Sequence, residues 1–273
     1  MNATVIISTY NSPEWLQKVL WGYANQTTDK FDVIIADDGS GEETKSLIDH
    51  FKKDYPVEIT HLWHEDQGYR RQEILNRAIV DAKNEYIIMT DGDCIPRKDF
   101  VESHLELAEK GRFLSGGYCK LPIKTSKAIS KKDVESQDCF DVDWLNDIEK
   151  LNFSNTLKLG SSKNRRVLLD RITPTRPSFN NCNSSGFKAD MIAVNGYDER
   201  MKYGGPDREF GERLENYGVK GKQIRHKAIV IHLDHPRGYK TPESLRRNLD
   251  IRKKVKQDNI KVTPYGITKD VNT

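Results

Sequence analysis

Three β-branched runs, "ATVIIST", "FDVIIADDGS" and "EYIIMTDGDC", lie within the first 94 residues, and each breaks off abruptly in polar or acidic residues. Continuous apolar runs of this length, without polar alternation, are the pattern of strands covered on both faces. Between the first two, "SPEWLQKVLWGYANQ" puts Ser12 at a helix N-cap, Pro13 at the first helical position, and Trp15, Leu16, Val19, Leu20 and Tyr23 at helical spacing. Two more amphipathic segments, "GEETKSLIDHFKKD" and "RRQEILNRAIVDAK", flank a third strand, "VEITHLW". Strands alternating with helices predict a doubly wound α/β sheet, mostly parallel, with ligands bound beyond the carboxyl ends of its strands. The acidic clusters stand at those ends.

After Tyr118 the sequence turns polar and weakly periodic as far as residue 178, which predicts short helices joined by mobile loop. Order returns with "NCNSSGFKADMIAVNGYDER", with "YGGPDREFG" running into a helix, and with the strand "KAIVIHLDH". The tail opens on a Thr-Pro-Glu helix entry and gathers Arg246, Arg247, Arg252, Lys253, Lys254 and Lys256. Such a charge run is either a solvated face or a contact to an anionic membrane surface.

Charge excludes one class of partner. With 44 basic against 41 acidic side chains, a net +3 gives no footprint for bulk nucleic-acid binding. The four cysteines, Cys94, Cys119, Cys139 and Cys182, contain no C-x-x-C pair and fit free thiols in a reducing compartment. No leader-like segment and no long apolar span occurs, so the expected location is the cytoplasm.

Asp91-Gly92-Asp93 follows an apolar strand, and two carboxylates there either cap a turn or hold a hard divalent cation with open positions for phosphates. Asp37-Asp38-Gly39-Ser40 ends the second strand in the same way, and with Thr9-Tyr10-Asn11 it forms a polar crevice with one aromatic face. His232 is either a packed strand-end histidine or a ligand. Asn181, Asn183 and Ser184 read as a polar turn before a strand. Glu209 lies about 200° around a helix from Asp207. It either reaches a ligand or pairs with Arg213 on the surface.

In order and spacing, "VIISTYNSPEWL", "VIIADDGSGEET", "HEDQGYRRQEILNRAI" and "YIIMTDGDCIPRKDFV" resemble the nucleotide-sugar half of inverting, metal-dependent family 2 glycosyltransferases of the glycosyltransferase-A fold. The later "NCNSSGFKADMIAVNGYDER", "YGGPDREFGERLENYG" and "IVIHLDHPRGY" are similar to the acceptor half of galactosyltransferase-like and chondroitin-polymerase-like members. The resemblance implies a single Rossmann-like domain: a nucleotide-sugar half over 1–118, a mobile insertion over 119–178, an acceptor and catalytic half over 179–239, and a basic helix and tail over 240–273. It implies a UDP-sugar donor held by Thr9, Tyr10, Asp38, Arg70, Asn76, Asp91 and Gly205, and Mn²⁺ or Mg²⁺ held by Asp93 and His232. Asp207 takes the place of the general base, and Glu209, Asn183 and His235 stand on the acceptor side. The implied acceptor is a saccharide or lipid-linked saccharide of a surface polysaccharide or lipopolysaccharide. Pro206 departs from the pattern, because the family motif is Gly-Gly-Glu-Asp and the missing Glu contacts the donor sugar. That leaves the sugar open and gives weight to a sugar-nucleotide-binding scaffold without turnover. A nucleotidyltransferase shares the D-x-D chemistry, but "STYNSPEW" lacks its glycine-rich basic loop.

Overall fold

The computed structural model describes residues 1–236 and 241–269. In chain order the strands are β1 (Ala3–Thr9), β2 (Phe31–Asp37), β3 (Ile59–Trp63), β4 (Tyr86–Asp91), β5 (Cys94–Pro96), β6 (Arg112–Ser115), β7 (Gly117–Lys120), β8 (Ser184–Phe187), β9 (Lys220–Gln223) and β10 (Ile229–His232). The helices are α1 (Pro13–Ala24), α2 (Glu42–Asp54), α3 (Arg71–Asp81), α4 (Phe100–Leu107), α5 (Ile123–Ala128), α6 (Lys131–Ser136), α7 (Val142–Ile148), α8 (Phe153–Leu159), α9 (Lys163–Ile172), α10 (Lys188–Ala193), α11 (Pro206–Tyr217) and α12 (Pro242–Gln257).

The main sheet runs β3-β2-β1-β4-β8-β6-β9, and β5-β10-β7 form a second, smaller sheet. β1 pairs in parallel with β2 on one side and β4 on the other, which aligns Thr9 with Asp37 and Ser8 with Asp91. The strand order reverses its direction of growth between β1 and β4, so the crevice for a ligand opens between Thr9 and Asp91. The uninterrupted apolar runs are explained by helices on both faces. Val5, Ile7, Val33 and Ile35 pack with α1 residues Leu16 and Tyr23. Ile6, Ile34 and Ile87 turn the other way onto Ile74, Leu75 and Ile79 of α3 and Phe210 of α11. Each such side chain contributes roughly 1.5–3 kcal/mol of burial, which ties the strand ends to a rigid base.

Residues 119–178 hold the expected short helices, and these pack rather than standing apart. They form α5 to α9, and Ile129, Val134, Phe140, Leu145 and Leu159 are buried against the body. These helices are too short to repeat an apolar position often enough for periodicity to register. β8 lies between β4 and β6, so the segments 1–118 and 179–239 share one sheet. The basic segment expected over 240–273 begins and ends outside the described residues, but within it α12 forms and packs on α11, with Thr241 accepting from the Ser244 amide. All four cysteines are buried free thiols. Among the described residues, no helix is long and apolar enough to cross a membrane.

Candidate active site

Beyond the ends of β1, β2 and β4 lies a cavity of about 1340 Å³. Thr9, Tyr10, Asp38, Asp91, Asp93, Gly205, Asp207, His232 and His235 all line it. At one end Asp38 accepts from His64 Nε2 at 2.8 Å and from the Arg70 amide at 3.2 Å. Burial raises the Asp38 pKa, with the His64 hydrogen bond opposing it. Beside it, Thr9 Oγ1 is buried with no hydrogen-bond partner among the described residues. The half-exposed Tyr10 ring closes this end, its hydroxyl donating to Asp66 at 2.8 Å.

The two aspartates of the D-G-D turn have separate surroundings. Asp91 accepts from Ser8 Oγ at 2.9 Å and pairs with Arg71, whose Nη2 also donates to Ser8 Oγ at 2.7 Å. Gly92 lies close against the sheet: its amide donates to Ser8 O at 2.7 Å, and a Cβ there would lie 3.0 Å from the same oxygen.

Asp93 faces two histidines because β10 pairs antiparallel with β5, setting His232 opposite Cys94. His235 Nε2 is 2.9 Å and His232 Nε2 3.9 Å from Asp93 Oδ2. His232 Nδ1 lies 2.8 Å from the Leu233 carbonyl and His235 Nδ1 2.9 Å from that of Pro236. A carbonyl only accepts, so each Nδ1 carries a proton, and Nε2 is the ring nitrogen that each histidine turns toward the carboxylate. The carboxylate and the two Nε2 atoms converge on one point, where protons on the rings or a bound cation would balance the charge of Asp93. Burial works to raise the Asp93 pKa, but His232 and His235 outweigh it and hold the carboxyl down to about 2. Cys94 Sγ belongs to the same cluster, with ligand atoms of Asp93, Cys94 and His232 within 4.8 Å of one another. Its thiol is held protonated by burial and donates to Asp93. One carboxylate and two imidazoles make a donor set that fits a divalent cation.

Across the cavity, Gly204 and Gly205 take φ of +114° and +90°, the left-handed region that side chains rarely adopt. A Cβ on Gly204 would also lie 2.4 Å from Leu245. The turn delivers Pro206 to the first position of α11 and Asp207 to the second. Asp207 Oδ1 accepts from the Arg208 amide at 2.9 Å. Burial raises the Asp207 pKa, opposed by that amide and by Arg71.

The N-terminal part of the chain, residues 4–128, matches the model for glycosyl transferase family 2, and residues 171–236 match that for the N-terminal domain of galactosyltransferase. The chain is a glycosyltransferase, with the family 2 pattern in its N-terminal part. It is 28% identical to the uncharacterized glycosyltransferase YfnE of Bacillus subtilis, covering 91% of this chain and 69% of that protein. It is 27% identical to the chondroitin synthase of Escherichia coli, over 85% of this chain but only 35% of the synthase. For the Pasteurella multocida chondroitin synthase, 24% identical over 77% of this chain, the share of the relative is 22%. The chain thus spans about a fifth to a third of the length of these synthases. Among solved structures, S. aureus TarS 1-349 in complex with UDP-GlcNAc superimposes with a TM-score of 0.62 at 15% identity, covering 92% of this chain and 65% of that one. The mannosyltransferase PcManGT of Pyrobaculum calidifontis, in complex with GDP-Man and Mn²⁺, gives 0.58 at 17%, covering 94% and 70%. These likenesses establish the fold as that of glycosyltransferase-A enzymes.

Four expected site residues of the glycosyltransferase lie outside the cavity. Arg70 is the N-cap of α3, and its guanidinium turns back to Glu73 at 2.7 Å and Gln67 at 2.9 Å. Arg71, the first residue of the helix, reaches the strand ends instead, because side chains of a first turn point toward the helix N-terminus. The i,i+3 spacing of Arg70 and Glu73 was the available signal. Asn76 is buried, accepting from the Tyr197 amide at 2.7 Å and donating to the Tyr197 carbonyl at 3.0 Å. It staples α3 to the turn after α10. Asn183 is buried and donates to Gly117 O at 2.7 Å and Ala228 O at 3.1 Å, joining the two sheets. Its neighbour Asn181 does line the cavity, with its amide 2.5 Å from Tyr197 Oη and 3.3 Å from Arg71. Glu209 does pair with Arg213, but in the interior rather than on the surface, at 2.6 Å with neither side chain more than 1% exposed.

Proposed function

We propose that this glycosyltransferase moves a hexose or N-acetylhexosamine from a UDP-sugar to a saccharide acceptor with inversion, in the assembly of a surface polysaccharide or lipopolysaccharide. One observation carries the reading: Asp207 is the cavity carboxylate with no Lys, Arg or His side-chain nitrogen within 4 Å among the described residues. Asp38, Asp91, Asp93, Glu212 and Glu215 each have one. An unpaired carboxylate with a raised pKa is suited to take a proton from an acceptor hydroxyl. Thr9, Tyr10 and Asp38 form the base end of the donor site, Asp38 accepting from the imide N–H. Arg71 orders Asp91 for the ribose. Asp93, His232 and His235 would hold a divalent metal, which when bound would supply electrostatic stabilisation of the diphosphate leaving group. Asp207 then draws the proton from the acceptor oxygen as that oxygen forms its bond to the anomeric carbon and the bond to the diphosphate breaks. A single displacement of this kind inverts the anomeric centre.

The exposed residues Arg246, Arg247, Lys253 and Lys254 of α12 fit an anionic membrane surface carrying a lipid-linked acceptor, at about 1 kcal/mol for each basic residue near the leaflet. The test of the main reading is a thermal-shift series of UDP-, GDP- and dTDP-sugars with and without Mn²⁺, followed by product analysis. Stabilisation by UDP-sugars that requires Mn²⁺ is expected, because ligands of the native state raise its apparent stability. Stabilisation by GDP- or dTDP-sugars alone, or none with Mn²⁺ present, refutes it.

A further inference from the structure

The cavity continues past the metal-binding cluster toward the helical insertion, where its charge is not balanced. Arg71, Arg176 and Arg252 each face a carboxylate, at 2.6 Å for Arg176 with Glu215 and for Arg252 with Glu212. Lys158, from α8, and Arg225, from the loop after β9, also line the cavity, and among the described residues neither has a carboxylate within 4 Å. Lys158 Nζ donates to the Tyr118 carbonyl at 3.0 Å, and Arg225 Nη1 to Thr175 Oγ1 at 2.8 Å. Arg225 Nε is buried with no partner at all among the described residues. Burial lowers the Lys158 pKa and the Arg225 charge lowers it further, so the two cations feel each other with no counter-charge between them. Two like charges left together in a half-closed wall are a standing cost to the fold, and an anion bound between them relieves it.

Their place in the cavity separates them from the nucleotide. Asp38 follows β2 and Arg225 follows β9, five strand positions apart in the sheet order, roughly 24 Å at the spacing of hydrogen-bonded strands. Lys158 stands 5.7 Å over the centre of the Tyr118 ring, and that ring's centre is 6.1 Å from the His232 ring. The cations are thus one aromatic ring beyond the metal-binding cluster, on the side away from the base-binding end. We infer that Lys158 and Arg225, roofed by the insertion and floored by Tyr118, form an acceptor subsite for an anionic group, a sugar carboxylate or a phosphodiester, next to the sugar that receives the transfer. Tyr118 offers a flat apolar face for a sugar ring, the Arg225 fork suits a two-oxygen anion, and Lys158 adds a point charge. The inference rests on the glycosyl-transfer reading for the identity of its ligand as acceptor, but its binding test does not depend on turnover.

The test titrates the whole chain, loaded with Mn²⁺ and UDP, by calorimetry with three probes: a glucuronate-containing hexasaccharide, a glycerol-phosphate oligomer and neutral chitohexaose. One anionic probe should bind about tenfold tighter than the neutral one, the factor carried by ~1.4 kcal/mol of charge-assisted hydrogen bonding. Which of the two binds identifies carboxylate or phosphate as the source. The preference should shrink at high salt and vanish in the double variant Lys158→Met/Arg225→Gln, while UDP affinity stays unchanged and certifies the fold. Equal affinity for all probes, binding of none, or a preference that survives the double variant would overturn it. So would a parallel loss of UDP affinity, since the cations would then serve the donor. If the anionic preference is found but no UDP-sugar is turned over, the transfer reading fails and the subsite stands.

Discussion

Glu209→Ala separates scaffold from site, because Glu209 and Arg213 are 1% and 0% exposed. Arg213 donates to both Glu209 oxygens, at 2.6 and 2.9 Å, and to the Gly196 carbonyl at 2.6 Å. Removing the carboxylate leaves a guanidinium in the interior with neutral carbonyls as its remaining partners. Breaking a buried pair from one side costs about 3–5 kcal/mol. For a chain of this size each kcal/mol moves Tm by roughly 2–4 °C, so the variant should melt roughly 6–20 °C lower. The pair is itself costly, since burial raises the Glu209 pKa despite Arg213. That pKa lies above the ordinary value, so the folded state holds the proton more tightly than the unfolded chain, and the carboxyl's contribution to stability is lost as pH rises through its folded pKa. The double variant Glu209→Leu/Arg213→Met, which removes both charges, should therefore recover most of the loss. Circular dichroism melting gives Tm, and calorimetry at a temperature where Glu209→Ala is folded gives its UDP affinity, expected unchanged. A Tm within about 2 °C of the parent, or weakened UDP binding by the folded variant, would refute the scaffold assignment.

Asp207→Asn should reduce transfer by about 10²–10⁴-fold with UDP affinity intact, and rates near those of the parent would exclude it as base. In the parent enzyme kcat/KM should fall as pH drops through the Asp207 pKa, which burial places above the ordinary carboxylate value, because the protonated acid cannot accept the acceptor's proton; an acid limb that persists in Asp207→Asn would assign it elsewhere. Asp93→Ala should abolish the Mn²⁺ dependence of UDP binding measured by calorimetry, and an unchanged response to chelator would move the metal elsewhere. Changing Arg246, Arg247, Lys253 and Lys254 to Gln should weaken sedimentation with anionic vesicles at low salt, an effect screened at high salt, and equal partition would dismiss the membrane contact.

The sheet was legible because its signal is local. Residues 3–9, 31–37 and 86–91 are covered on both faces, and uninterrupted β-branched runs record that directly. The carboxylates at the strand ends were legible for the same reason, since a parallel sheet gathers them at one edge whatever the rest of the chain does. Arg70 and Arg71 were harder to separate, because adjacent residues at a helix entry point in directions set by the backbone at one cap. Asn76, Asn183 and Glu209 look polar and available in sequence, yet each is buried with its hydrogen-bonding groups taken by residues remote in the chain or one helical turn away. A sequence reading weighs polarity and not the partner that neutralises it. Lys158 and Arg225 were missed for the converse reason: single cations in weakly patterned segments gain meaning only when two elements bring them to one wall without an acid.

The far end of the chain bears on the chemistry as well as on the surface. Asn248, buried on α12, donates its amide to the carbonyls of Lys202, Tyr203 and Gly204 at 2.8, 3.1 and 3.2 Å. Those carbonyls belong to the turn whose left-handed glycines aim Asp207. Arg252 and Lys256 of the same helix reach inward to Glu212 on α11, at 2.6 and 3.1 Å, so only part of the basic run faces outward. Removing the segment from Thr241 onward would therefore release the turn carrying Asp207, the proposed base, together with any surface contact, and a loss of activity on truncation would say nothing about membranes. Substituting the outward charges alone leaves Asn248, Arg252 and Lys256 in place, and it separates a helix that docks the enzyme from one that holds the Asp207 turn.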